Sequence, residues 1–63
     1  MLKIPAELVL DLDFRGNSNG WICQAGDSRT RYVVGRGPTP EAAIADARTQ
    51  YGVPTEIYII ETP

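Results

Sequence analysis

The chain has 63 residues with eight acidic and six basic side chains, a formal net charge of −2, a single cysteine and no histidine. A chain this short predicts one domain over residues 1–63, which buries only about 60% of its extended surface. The balanced charge argues against a general nucleic-acid binder and against a heavily acidic mimic of DNA. Without histidine, Ser18, Ser28 and Cys23 have no evident activating base, so we expect no enzyme.

The pattern of cysteine and apolar residues predicts a cytoplasmic protein. Cys23 is alone and cannot form an intramolecular disulfide, which is typical of a reduced, intracellular chain. No segment approaches the roughly 20 apolar residues of a membrane span, and residues 1–5 are too short and too weakly basic for a signal peptide. Cys23 alternates with Trp21, and we expect both in the core; exposure of Trp21 at the start of its strand is the alternative.

The first predicted strand covers residues 8–14. Apolar side chains occupy one parity of this segment and Val9, Asp11 and Asp13 occupy the other, which is the alternation of a strand with two different faces. A hairpin loop rich in glycine and asparagine follows over residues 15–20.

Two further strands are predicted before the helix. Residues 21–25 return from the hairpin loop, residues 26–28 make a turn, and residues 29–36 form a third strand around Tyr32, Val33 and Val34. The parity of this third strand is left open by its sequence, because apolar residues occur at both parities.

A capped helix is predicted from Pro40 to about Tyr51. Thr39 can accept a hydrogen bond from a free amide of the first turn, and Pro40 has no amide that needs a partner. Gly52 and Pro54 end the helix. The apolar stripe of the helix faces a sheet and consists of Ala43, Ile44, Ala47 and Tyr51.

A fourth strand over residues 56–61 completes the predicted fold class, which is a small α+β domain of order β-β-β-α-β. The sheet is expected to be four-stranded and mainly antiparallel, with the helix on one face. A crossover through the helix should lay the fourth strand parallel to a strand already present, and we expect it beside the first strand rather than the third.

One helix covers only one face of such a sheet, so the other face is predicted to carry exposed apolar side chains. A patch of this kind on a small domain is typical of a partner-binding or self-association surface. The predicted partner-binding residues are Val9, Asp11, Asp13, Ile22, Arg31 and Val33.

Arginines on the third strand give an alternative hypothesis. A basic run with an aromatic residue could grip phosphates and stack on a base, and this run consists of Arg29, Arg31, Tyr32 and Arg36. The simpler interpretation is that arginines protect a strand edge from aggregation.

Asp11 and Asp13 could begin a metal site, since the predicted strand places them about 7 Å apart on one side. The other acidic residues are expected on a turn and on the helix, away from that side of the sheet. We therefore predict no metal and no cofactor, and interpret both aspartates as solvated or arginine-paired.

The segment from Gly37 to Ala47, with its threonine, Glu-Ala pair and alanine-flanked isoleucine after a strand that ends in Gly35, resembles the strand-to-helix segment of HicB-like antitoxin domains. The predicted order of elements is similar to the partial ribonuclease-H-like fold of that family. The resemblance implies a non-enzymatic protein that binds and neutralises a small ribonuclease toxin.

These observations predict a small interaction protein that binds and inhibits or regulates a protein partner, through the open sheet face or a strand edge. Stand-alone intracellular domains of this size are commonly encoded by phages and other mobile elements, which is an argument by analogy. Homodimerisation through the open sheet face is compatible with this function. The alternative is a small nucleic-acid-binding module that uses the arginine-rich third strand.

Overall fold

The computed structural model describes residues 1–60 of the chain. In chain order, the elements are β1 (Leu2–Leu12), β2 (Ser18–Ala25), β3 (Val33–Gly37), α1 (Pro40–Tyr51) and β4 (Thr55–Ile59). The predicted α+β class and the order β-β-β-α-β are confirmed.

The four strands form one mixed sheet in the order β3-β2-β1-β4. β1 pairs antiparallel with β2, β2 pairs antiparallel with β3, and β4 lies parallel to β1. The predicted place of the fourth strand beside the first is confirmed. β1 and β2 are therefore interior strands, and β3 and β4 form the two edges.

Both ends of α1 are capped as the sequence predicts. Thr39 has an extended backbone with φ −130°, and its side chain accepts a hydrogen bond from the amide of Ala42 at 3.1 Å. Gly52 ends the helix in the left-handed conformation at φ 70°, and its amide donates to the carbonyl of Thr49 at 3.2 Å.

Small residues let α1 approach β3 very closely. Ala43 and Ala47 are fully buried and lie against Gly35. A Cβ atom on Gly35 would lie 2.8 Å from the Cβ of Ala47 and would also overlap the backbone of both alanines. The helix and β3 are therefore in near-backbone contact.

The core lies between α1 and the sheet. Its buried apolar members are Ile4, Ala6, Cys23, Ala25, Val33, Ala43 and Ala47, with Leu8, Trp21, Ile44, Tyr51, Ile57 and Ile59 packed around them. The core positions predicted for Cys23 and Trp21 are confirmed: Cys23 is fully buried and Trp21 partly so. Burial raises the pKa of the Cys23 thiol.

The predicted bounds of the first two strands were wrong. β1 starts at Leu2 rather than residue 8, and β2 starts at Ser18 rather than residue 21. At its other end β1 stops at Leu12, so that Phe14 lies beyond the strand and is 93% exposed. β1 ends there because the Asp13 side chain accepts hydrogen bonds from backbone amides that follow it in the chain, and these bonds form a turn.

The predicted start of the third strand, at residue 29, was wrong because the strand begins later in the chain. The carboxylate of Asp27 accepts hydrogen bonds from the amides of Arg29 at 2.8 Å and Thr30 at 3.1 Å, which folds residues 27–30 into a turn. β3 therefore begins only at Val33. β4 ends at Ile59, and the last predicted strand residue, 61, lies outside the described residues.

Candidate protein-binding face

The sheet face opposite α1, here called the open face, is defined by alternation along the strands. Ile4 and Ala6 on β1 and Cys23 and Ala25 on β2 are buried toward the helix, so the residues between them point the other way. The open face consists of Lys3, Pro5, Glu7, Val9, Asp11, Ile22, Gln24, Val34, Arg36, Glu56 and Tyr58, with Tyr32 and Ile60 at the strand ends.

Large apolar side chains are exposed across the open face. Val9 on β1 lies opposite Ile22 on β2 at the centre of the sheet, and Val9 is 40% exposed. Toward the two edges, Val34 is 46% and Tyr58 is 49% exposed. Apolar side chains therefore occur on all four strands of this face, with Glu7 and Gln24 between them on the two interior strands. Exposed apolar groups of this kind are typical of a face that a partner covers.

A depression of about 260 Å³ lies on this face over residues 5–7 of β1, where β2 and β4 end. Its lining residues are Pro5, Ala6, Glu7, Gln24, Gly26, Tyr32 and Ile60. Tyr32 and Ile60 give the depression an aromatic and an aliphatic side. The carboxylate of Glu7 and the side-chain amide of Gln24, which are paired in the β1–β2 register, lie next to them. A partner's apolar side chain next to a hydrogen-bond donor would match this chemistry.

The charges on the open face are mixed in sign. The guanidinium of Arg36 lies 3.8 Å from the carboxylate of Asp11, in a pair with side-chain exposures of 67% and 33%. Such a pair contributes at most about 1 kcal/mol to stability. Lys3 lies opposite Glu56 in the β1–β4 register. The face therefore mixes apolar residues with charges of both signs rather than presenting one strong field.

Three of the six predicted partner-binding residues lie on the open face: Val9, Asp11 and Ile22. Asp13 does not, because it lies in the turn after β1, where its carboxylate accepts from the amides of Arg15 at 2.8 Å and Asn17 at 2.9 Å. The bond from the Asn17 amide is the main cause that lowers the pKa of Asp13. The expectation that Asp11 and Asp13 share one side of a strand was wrong.

Val33 and Arg31 are also away from the open face. Val33 is only 8% exposed and faces α1, because the position two residues later is the glycine in contact with the helix. The guanidinium of Arg31 donates to the carbonyl of Gln50 and lies 5.7 Å from the ring centre of Tyr51, whose hydroxyl donates to the Arg31 carbonyl at 3.0 Å. Arg31 thus stabilises the C-terminal end of the helix.

The arginine-rich run does not form one basic surface. Arg29 lies in the turn before β3, Arg31 binds the end of α1, and Arg36 pairs with Asp11 on the open face. Tyr32 is 74% exposed and lines the depression. The structure distributes the predicted phosphate-binding residues over three separate places.

The outer edge of β3 is closed by two side chains that the sequence reasoning missed. Asp46 accepts from the amide of Arg36 at 2.9 Å, and Gln50 donates to the carbonyl of Val34 at 2.8 Å. Both lie on α1, four residues apart and hence on one side of the helix. Their position beside the alanine stripe is the signal that would have indicated contact with an edge strand.

Val34, Gln24, Tyr58 and Ile60 also lie on the open face and are absent from the predicted partner-binding set. The position of Val34 depends on the parity of β3, which apolar residues at both parities leave ambiguous. Gly35, placed opposite a helix whose contact stripe carries alanines, would have fixed that parity, because a side chain at position 35 would prevent close packing.

Within residues 1–60, acidic and cysteine side chains form no cluster suited to a metal ion. No helix in this part of the chain has both the length and the apolar character needed to cross a membrane. Comparison of the chain with protein-family models, with curated proteins and with solved structures gives no match. The function is therefore inferred from the surface itself.

Proposed function

We propose that this chain is a small non-catalytic binding protein that uses the open face to bind, and thereby inhibit or regulate, a partner protein. The observation that carries the proposal is the set of apolar side chains on the open face, with Val9 and the partly buried Ile22 at the centre of the sheet and charges of both signs among and around them. Interfaces of non-permanent complexes commonly mix apolar and polar groups in this way.

The resemblance to HicB-like antitoxin domains points to the same class of function, since those domains act by binding another protein. An inhibitor encoded by a phage or another mobile element belongs to that class too.

The nucleic-acid alternative receives no comparable support. Phosphate binding along a strand needs cationic groups on a common surface, and Arg29, Arg31 and Arg36 lie in three different environments. The guanidinium groups of Arg31 and Arg36 already interact within the chain, with the carbonyl of Gln50 and the carboxylate of Asp11 respectively.

The experiment is a quantitative pull-down from nuclease-treated host lysate with three tagged forms of the chain. Val9→Lys places a cation in the apolar centre of the open face, where Glu7 and Asp11 on the same strand face compensate it within the folded chain. Ala45→Lys adds the same charge on the exposed side of α1 and is the matched control.

We expect one protein to be recovered in near-equal amount with the parent chain and with Ala45→Lys. Val9→Lys should weaken its binding by about 2 kcal/mol or more, roughly 30-fold in Kd, because a charge is forced into a desolvated interface. Equal recovery with all three forms would refute the open face as the binding surface. A protein that is recovered from untreated lysate but lost after nuclease treatment would support the nucleic-acid alternative instead.

A further inference from the structure

The two edges of the sheet differ in how their backbone groups are satisfied. On β3 the side chains of Asp46 and Gln50 bind the outward amide of Arg36 and the outward carbonyl of Val34. Among residues 1–60, no side chain makes an equivalent bond to β4. The edge of β4 is thus the one at which a further strand can pair.

The hydrogen bonds between β1 and β4 identify which groups face outward. Leu2 donates to the carbonyl of Pro54 at 3.2 Å, and Ile60 donates to the carbonyl of Ala6 at 2.8 Å. The even-numbered residues of β4 therefore bond to β1, and the amides and carbonyls of the odd-numbered ones point away from it. These are Thr55, Ile57 and Ile59.

The outward edge of β4 also lacks the usual devices that prevent strand pairing. Within Thr55–Ile59 there is no proline and no lysine, and the single charged residue is Glu56. Natural edge strands are commonly blocked by such residues or by a bulge. By contrast, the irregularity on β1 lies between Leu10 and Leu12, beyond the segment that pairs with β4.

We infer that β4 pairs antiparallel with β4 of a second copy, about a two-fold axis that passes through Ile57. This register places Ile57 opposite itself and Thr55 opposite Ile59, so that every outward group of the strand faces another outward group. It places Glu56 opposite Tyr58 of the second copy on the open face, and no like charges meet.

The neighbouring registers are less favourable for stated reasons. A two-fold axis at Glu56 would set the two Glu56 carboxylates directly opposite each other, which is destabilising. An axis at Tyr58 would pair only Ile57 with Ile59 through outward groups and would leave Thr55 without a partner within β4, since it would face position 61. Charge and hydrogen bonding together select the axis at Ile57.

The resulting dimer has a continuous eight-stranded sheet in which the two open faces lie side by side. The contact is made through the backbone edge of β4 and involves the open face only at its margin, where Glu56 and Tyr58 lie. Val9 and Ile22 at the centre of the sheet stay free, so the dimer is compatible with the function proposed above. Ile57 and Ile59, which are half-buried on the helix side of a single chain, gain apolar neighbours from the second copy.

The test places charges of either sign at position 58 and measures the dimer Kd by sedimentation equilibrium. Tyr58 is 49% exposed, so substitutions there are compatible with folding. Tyr58→Glu sets a carboxylate opposite Glu56 twice per dimer and should raise the dimer Kd by roughly 2- to 30-fold. Tyr58→Lys should lower the Kd relative to the neutral Tyr58→Gln, and adding Glu56→Lys to Tyr58→Glu should restore dimerisation.

A matched control is Val34→Glu, which adds the same charge to the open face on the opposite edge strand and should leave the dimer Kd unchanged. An intermolecular NOE between the Hα atoms of Glu56 and Tyr58 in a mixed-label sample would support the register. A chain that stays monomeric at millimolar concentration would overturn the inference. The inference would also be overturned if Val34→Glu weakened the dimer while Tyr58→Glu and Tyr58→Lys left its Kd unchanged. That result would place the contact on the open face.

Discussion

The contact between α1 and β3 makes Gly35→Ala the most informative stability variant. The added methyl group would lie 2.8 Å from the Cβ of Ala47 and would overlap the backbone of Ala43 and Ala47. Since the obstacles are mainly backbone atoms and not the far end of a flexible side chain, α1 has to move away from the sheet. Overpacking of this kind costs about 1–3 kcal/mol, and we expect a value near the upper end.

That cost is large for a chain of this size. A stability of about 0.05–0.15 kcal/mol per residue gives roughly 3–9 kcal/mol for the whole chain. A loss of about 3 kcal/mol would lower Tm by roughly 10–25 °C. The assay is urea and thermal unfolding followed by circular dichroism, with Val34→Ala as the control in the same strand.

Val34 is 46% exposed on the other face, so Val34→Ala should cost no more than about 1 kcal/mol. If Gly35→Ala lowers the unfolding free energy by less than about 0.5 kcal/mol, the close approach of α1 to β3 is wrong. A loss in Gly35→Ala no larger than that in Val34→Ala would likewise contradict a special cost at the helix contact, because Gly→Ala does not itself lower strand propensity.

Three further predictions concern the helix start, the core and the turn before β3. Thr39→Ala should lower the unfolding free energy by about 1 kcal/mol in urea titrations, whereas Thr39→Ser should retain most of it. Cys23 should react with a thiol reagent at pH 8 only as fast as the chain opens, since it is buried and its thiol pKa is raised; full labelling within seconds would contradict the core assignment. The bond from the Arg29 amide is the main cause that lowers the pKa of Asp27, so its contribution to stability is fully present above the unfolded pKa and is lost as pH falls through the folded value. Thermal unfolding between about pH 5 and pH 2 should therefore show a smaller acid-induced loss for Asp27→Asn than for the parent chain, and identical pH profiles would contradict this.

The sequence predicted the helix better than the strands, for physical reasons. Thr39, Pro40 and Gly52 act locally, through a side-chain cap, a fixed φ and a left-handed residue, so their effect can be read from neighbouring positions alone. The start of β1 could not be read in this way. Pro5 and Ala6 have low strand propensity, and they are held in β1 by pairing with β4, which is distant in sequence.

The open face was predicted in outline and corrected in detail. The positions of Val9 and Asp11 on β1 and of Ile22 on β2 could be predicted from the simple alternation of side chains along each strand. Val33 was misplaced because apolar residues at both parities hide which side faces the helix, and Arg31 because its partners lie 19 and 20 residues away at the end of α1. Long-range contacts of this type leave no local signal in a single sequence.

The most direct test of the open face as the binding surface is oxidative footprinting of the chain, free and in complex with the captured partner. Tyr32 and Tyr58 report on the open face, and Phe14, which is 93% exposed beyond the end of β1, reports on the hairpin turn. The proposed function predicts that both tyrosines are strongly protected in the complex while Phe14 is oxidised as before. Protection of Phe14 with unchanged oxidation of Tyr32 and Tyr58 would contradict it.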